Sequence, residues 1–478
     1  MKFNTLEYLV FLPLVAMLCH ASPRGVKLPL LLVASYVFYA SWNPWFLILI
    51  IGLTLANYAI GLGLAARRDN AAIFWLGIAV NLSTLGVFKY SAFIAANVAA
   101  LFRLAGLHLP VPSFSSVSPL GISFFVFEFV HYLVDVKKGE PVVRSPLKFA
   151  LFAAFFPTQI AGPIKRFESF IPQLDALKLP TAAMAMRGAR LVVLGLFKKA
   201  AVADNLARIA NNGFAQAVPG MDTLHCSEAW IGVLAFAFQI YFDFSGYTDI
   251  GRGSALLLGF DVPENFARPY LATSVSEFWR RWHISLSTWL RDYLYIPLGG
   301  GRRARYRNLL LTMVLGGLWH GANWTFVAWG ALHGCFLVAH RVWEKTGAGV
   351  FSPSQRAHVV FKITSWALTF GAVCFAWVPF RAKTMAETGA MWKAMLGLGS
   401  GRAAFTSPSE RLFVLAAVLL TLAIEVAIGV AARRAAVRGT DAFARSLAWL
   451  EPAGWVALAA LTLVATPSGA TTFIYFQF

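Results

Sequence analysis

Apolar residues run along this chain in long stretches, separated by short segments where arginine and lysine collect. Stretches able to cross the ~30 Å hydrocarbon core of a bilayer fall near residues 6–22, 28–42, 44–66, 72–102, 117–136, 147–163, 189–211 and 229–260. Others fall near 308–320, 324–343, 360–380, 410–432 and 447–466. The pattern predicts about 11–12 transmembrane helices, with one or two of the stretches only half-spans and the long one breaking at Lys89. No internal repeat is visible, which argues against an inverted-repeat transporter.

One segment differs in kind. Residues 263–307 are too charged to span. Read as one helix, Trp279, Trp282, Leu286, Trp289 and Tyr293 share a face, with Arg281, Ser285, Thr288 and Asp292 opposite. That predicts an amphipathic helix in the interface or in a cytoplasmic mouth, with His283 at the edge of the aromatic face.

Composition agrees with the pattern. Of 478 residues, 58% are hydrophobic and 13% charged. A soluble domain carries roughly 45–50% apolar and ~25% charged residues, so the chain reads as an all-α polytopic membrane protein. We treat 1–478 as a single membrane domain, with 263–307 as its mouth segment and 467–478 as its tail. The net charge of +19 is dispersed in clusters between the apolar runs, which excludes a nucleic-acid-binding arm and marks cytoplasmic loops. These clusters are Arg67/Arg68, Lys137/Lys138/Arg144/Lys148, Arg302/Arg303/Arg305/Arg307 and Arg433/Arg434/Arg438/Arg445. With them inside, residues 308–343 rise, turn near Gly321–Asn323 and return, and the tail after Thr466 lies outside. Leu6 to His20 reads as a retained first span, with no cleavable signal pattern. Four scattered cysteines suggest neither a disulfide framework nor a metal site.

Ionisable groups inside spans are expensive and usually face a cavity or a partner. Three places carry them: Glu128, His131 and Asp135 in one stripe; Gln239, Asp243 and Gly246 on one face, followed by Tyr247, Thr248 and Asp249; and His320 within GGLWHGANW. Glycines around His320 let a helix end at depth, tolerable where the backbone lines a cavity. An imidazole, whose unperturbed pKa is about 6.5, suits general-base work; equally, one placed there could bond a neighbouring helix. The Glu128 stripe reads as a buried network, Asp243 and Asp249 as either tunnel lining or helix locks, and His333 and His340 as structural. A metal site from His283 and His320 lacks ligand spacing and an acidic partner.

Four stretches carry a family resemblance: FFPTQIAGPIKRF (155–167), YFDFSGYTDIGRG (241–253), PENFARPYLATSVSEFWRRWHISLSTWLRDYLYIPLGG (263–300) and LGGLWHGANWTFVAWGALHG (315–334). In these the chain resembles the membrane-bound O-acyltransferases, in the bacterial branch of alginate O-acetyltransferase membrane subunits and teichoic-acid D-alanyl transfer proteins. The resemblance implies about eleven membrane helices around a funnel, with a tunnel joining a cytosolic acyl donor to an outward acceptor. It implies that His320 is catalytic and that His283 assists it or organises the donor mouth. It also implies a role for the closing TTFIYFQF, in which Tyr475 matches a tyrosine thought to relay the acyl group. Eight residues from Pro467 span about 26–29 Å when extended, so such a tail can dip toward His320; an aromatic interface anchor is the bland alternative.

The expected function is O-acetyl transfer from a cytosolic thioester, acetyl-CoA, across a bacterial inner membrane to an exported polysaccharide, through a periplasmic O-acetyltransferase partner. Acetyl-CoA enters as co-substrate, and no cofactor, metal or nucleic acid is expected. Substrate- or tunnel-lining candidates are Asp243, Gln239, Asn323, Trp319, Trp282, Arg280 and Arg291. The rival classes are a transporter or polysaccharide-export channel, a scaffold recruiting an outer transferase, and a direct lipid acyltransferase.

Overall fold

The computed structural model describes residues 1–107, 119–160, 162–220, 224–346, 354–355, 358–399, 401, 404–438, 451–467 and 473–474. The regular elements among the described residues are all helical, with no β-strand. Five helices among the described residues are long and apolar enough to cross a membrane by themselves: Pro44–Ala66, Ala71–Leu104, Cys226–Leu257, Val359–Arg381 and Pro408–Val430. Leu6–Ala21 and Gly454–Ala465 are apolar but shorter. Other expected spans form helices that are shorter or more polar, a composition open to segments packed inside protein rather than against lipid.

Contacts group the chain into two compact units, 1–192 with 247–263 and 193–246 with 264–478. The first unit holds α1 (Leu6–Ala21), α2 (Arg24–Ala40), α3 (Pro44–Ala66), α4 (Ala71–Leu85) and α5 (Ser91–Leu104). It continues through α6 (Ile122–Lys138), α7 (Pro146–Ala154), α8 (Phe167–Ala176) and most of α9 (Ala182–Leu196). The helix does not break at Lys89 as expected: Ala71–Leu104 continues through a π turn, Gly86–Tyr90, between α4 and α5. The span expected over 147–163 ends early, at Ala154. Its apolar composition continues, but Pro157 and Pro163 cannot extend a helix. Aromatic packing fills this unit's core: Tyr132 meets Phe149 at 4.8 Å between ring centroids and Phe167 at 5.1 Å. Inside it Lys165 pairs with Glu128 at 2.7 Å, both side chains buried. Glu128, His131 and Asp135 of the stripe are all buried, with His131 Nδ1 on the Phe127 carbonyl at 3.1 Å.

The second unit continues with a π turn, Phe197–Ala203, then α10 (Asp204–Ala215) and α11 (Cys226–Leu257), whose last residues belong to the first unit. It adds α12 (Val275–Arg281), α13 (Ile284–Leu290), α14 (Arg305–His320), α15 (Trp324–Thr346) and α16 (Val359–Arg381). Helices α17 (Met385–Met395), α18 (Pro408–Arg438) and α19 (Glu451–Ala465) complete it. Of α11's most apolar stretch 83% is buried, against 17% for Ala71–Leu104. That difference explains how α11 carries Gln239 and Asp243 without exposing them to lipid.

The continuous amphipathic helix expected through Trp279–Tyr293, within the 263–307 segment, is not there. It breaks at Trp282–His283, where His283 adopts left-handed backbone angles (φ 42°, ψ 57°). Trp279, Trp282, Leu286 and Trp289 of the apolar face are buried as expected, but so is Ser285 from the supposed polar face. The break turns α13 so that Ser285 faces Asn265, bonding its side chain.

Candidate active site

Helices α14 and α15 form the hairpin predicted for 308–343, and α14 ends on His320. Gly321 leaves the helix in an extended conformation. The return helix is capped by Asn323, whose Oδ1 accepts from the Thr325 N–H at 3.1 Å while its Nδ2 donates to the Lys383 carbonyl at 2.9 Å. A Cβ on Gly317 would lie 2.2 Å from the Phe326 carbonyl oxygen and 3.1 Å from Gly330 Cα. The two helices therefore meet backbone to backbone, which fixes how deep His320 sits.

Three aromatic rings surround that imidazole: Trp319 at 5.0 Å, Trp329 at 5.0 Å and Phe380 at 5.2 Å. The residue keeps 5% of its surface exposed, so it is nearly enclosed yet not sealed. An enclosed site raises the strength of every electrostatic contact made there.

His283 is wholly buried. Its ring stands edge-on to Phe244 at 4.6 Å and lies 6.4 Å from Trp319. Trp319 thus touches the surroundings of both histidines. The left-handed backbone at His283 is unusual for a non-glycine residue and costs energy that the surroundings must supply. Buried Asn265 accepts three bonds from the two residues just after the kink. Its carbonyl accepts from the Ile284 N–H at 3.0 Å. Its Oδ1 accepts from the Ser285 N–H at 3.2 Å and from the Ser285 hydroxyl at 2.6 Å.

Around this pair runs an aromatic wall. Trp282 packs on Trp377 at 5.1 Å, and Trp329 on His333 at 4.9 Å. The Trp279 Nε1–H donates to His333 Nδ1 at 3.3 Å, a structural role for His333. Gln239 is buried on α11. Arg280 and Arg291 are exposed; Arg280 donates to the Ser276 hydroxyl and Arg291 pairs with Asp292 at 2.7 Å. In the same segment burial opposes ionisation of Glu277. The Thr273 N–H and hydroxyl and the Arg281 guanidinium outweigh it, holding the carboxyl below its ordinary range.

Asp243 sits with Lys199, 2.9 Å from its Nζ, and accepts from the Ile474 N–H at 2.7 Å. Phe473 and Ile474 are buried, with Phe473 6.0 Å from Phe244. Tyr475 lies outside the described residues. Sequence reasoning missed Lys199 and Asn265. A lysine inside the 189–211 run was a signal for the first; nothing in the pattern marked the second.

A histidine-terminated helix hairpin inside a polytopic membrane protein defines a class, and sequence comparison gives it a family. The model of "MBOAT, membrane-bound O-acyltransferase family" matches residues 69–378. The Pseudomonas putida protein named "Probable alginate O-acetylase AlgI" is 44% identical over 408 residues, 84% of this chain and 81% of the relative. The peptidoglycan O-acetyltransferase of Helicobacter pylori is 38% identical over 77% of this chain and 73% of its own. The teichoic acid D-alanyltransferase of Bacillus subtilis is 27% identical over 57% and 71%. The chain belongs to the membrane-bound O-acyltransferase family. It is an acyltransferase, which displaces the transporter and export-channel alternative.

Proposed function

We propose that this protein is an inner-membrane O-acetyltransferase that moves acetyl groups from a cytosolic thioester, acetyl-CoA, toward an exported polysaccharide. Relatives named for alginate and peptidoglycan O-acetylation support the acetyl group and a glycan acceptor. The observation that carries the reading is the placement of His320 at a helix terminus, nearly enclosed by Trp319, Trp329 and Phe380.

In this reading the donor docks at the basic mouth around Arg280, Arg291 and Arg302–Arg307, where positive charge draws its phosphates. His320 takes the proton from an attacking hydroxyl as that oxygen bonds the thioester carbonyl carbon. The C–S bond then breaks, and the imidazolium returns the proton to the departing thiolate. The attacking hydroxyl is the Tyr475 phenol, whose pKa of ~10 makes it easier to deprotonate than a sugar hydroxyl. The acetyl ester then passes to a periplasmic O-acetyltransferase partner and from it to the polymer. General-base help of this kind supplies about 10²–10⁴ in rate. Trp319, Trp282 and Gln239 line the passage.

The test supplies radiolabelled acetyl-CoA to membranes bearing the full chain or its His320→Ala variant, with equal protein confirmed by blot. Label should reach the C-terminal peptide and the glycan only with His320 present. Acetylation retained by the variant removes His320 from catalysis.

A further inference from the structure

The second unit buries a cation between two carboxylates. Lys199 Nζ lies 2.7 Å from Asp204 Oδ1 and 2.9 Å from Asp243 Oδ1, with all three side chains no more than 2% exposed. Such a cluster contributes little net stability compared with apolar packing of the same volume, so its presence asks for another reason. Asp243 offers one. Its second oxygen, Oδ2, accepts from the backbone N–H of Ile474 at 2.7 Å. One carboxylate is shared between the ammonium and the C-terminal segment.

The local structure is arranged around that contact. Lys199 lies in the π turn Phe197–Ala203, a geometry often found at functional sites. Just beyond it, the Asn205 amide donates to the Ala201 carbonyl at 2.9 Å and to the carbonyl of Ala465, the last residue of α19, also at 2.9 Å. Gly246 sits nearly one helical turn after Asp243. A Cβ there would lie 2.7 Å from the Gly195 carbonyl oxygen and 3.1 Å from Lys199 N. Only glycine lets α11 approach closely enough for the ion pair to close. On the far side of the contact, Phe473 packs toward Phe244, whose ring meets His283 at 4.6 Å.

We propose that Lys199 and Asp243 form a clamp on the Ile474 backbone, and that both are positioning residues for acyl transfer. The proposal rests on the relay reading of Tyr475, the next residue in the chain. An ion-paired carboxylate makes a stronger hydrogen bond than a neutral acceptor, and Lys199, 2.9 Å away, orients Asp243 for that bond. Because the clamp grips a main-chain N–H, it fixes the backbone position at Ile474.

The experiment uses the full chain in native membranes, with Cys19, Cys226, Cys335 and Cys374 replaced by alanine and Phe473→Cys as reporter. Phe473 is 2% exposed, so maleimide labelling of the reporter should be slow in the parent. Asp243→Leu and Lys199→Met should each speed it at least about tenfold, the loss expected from a charge-assisted bond; Lys199→Arg should restore protection. Labelling unchanged in both variants overturns the clamp. In chains that keep Phe473, the same substitutions should lower kcat about tenfold and leave KM for acetyl-CoA unchanged, whereas a merely structural lesion lowers membrane content or shifts both and counts against the proposal. If Asp243→Leu does not accumulate, Asp243→Asn, which keeps an acceptor but no charge, carries the same expectation. Mass spectrometry of the parent's C-terminal peptide reads the relay separately: no acetyl there sinks the relay alone, while labelling still decides the clamp.

Discussion

The indole of Trp319 stands 6.4 Å from the imidazole of His283 and 5.0 Å from that of its neighbour His320. Two histidines, one at the end of α14 and one at the kink before α13, thus share one aromatic wall. Its flat faces restrict each ring's tilt, and misplacing a catalytic group by about 1 Å can cost on the order of 10² in rate. Trp319→Ala should therefore lower acetyl transfer by on the order of 10² while Trp319→Phe, which keeps a ring, loses less than about tenfold. Initial rates in membranes with matched protein content check this. Equal losses in the two variants would show that the wall does not orient either histidine.

Asn265 holds the backbone kink that presents His283. Ser285 gives it two of the three bonds it accepts there, at 3.2 Å and 2.6 Å. Asn265→Ala should cost about 1–3 kcal/mol of stability, since buried donors lose their acceptor. Ser285→Ala removes only the hydroxyl and should cost less. The double variant should be non-additive by about 0.5–3 kcal/mol. Thermal midpoints in detergent for the four proteins measure the coupling; simple additivity would mean that the two residues act independently.

How much of this was legible in the chain follows from what writes a signal. Bilayer crossing demands long apolar runs, so helices such as Pro44–Ala66 and Cys226–Leu257 stand where the pattern puts them. The hairpin at His320 was legible because glycines bracket a buried histidine. The kink at His283 was not. A single left-handed residue leaves the i+3/i+4 spacing of Trp279, Trp282, Leu286 and Trp289 intact, and periodicity reads straight through it. Lys199 was passed over for a different reason: Lys198 and Lys199 together barely dent the apolar average of their run, and the partner Asp243 is distant in sequence. The short α7 shows the converse, apolar composition that continues after prolines have ended the helix.

Lys165 and Glu128 pair at 2.7 Å inside the first unit. Breaking such a pair leaves an uncompensated buried charge and typically costs about 3–5 kcal/mol, whereas replacing both partners by apolar groups is often neutral. Lys165→Met alone should therefore lower the thermal midpoint sharply or prevent accumulation in the membrane. Adding Glu128→Leu should recover most of the loss. A double variant as unstable as the single would show that the charges serve something beyond their mutual neutralisation.

The adjacent glycines 316 and 317 provide a matched test of the hairpin. A Cβ on Gly316 meets only Leu290 Cδ1, at 3.2 Å, a side-chain end that can swing away. On Gly317 it meets the Phe326 carbonyl oxygen at 2.2 Å, and that backbone belongs to the partner helix. Overpacking of the second kind costs about 1–3 kcal/mol and shifts main chain. Gly317→Ala should therefore separate α14 from α15 and displace His320, three residues on. We expect Gly316→Ala to keep near-parental acetyl transfer and Gly317→Ala to lose on the order of 10², with rates normalised to folded protein by size-exclusion in detergent. If the two alanine variants behave alike, backbone contact between the helices is not what sets the depth of the imidazole.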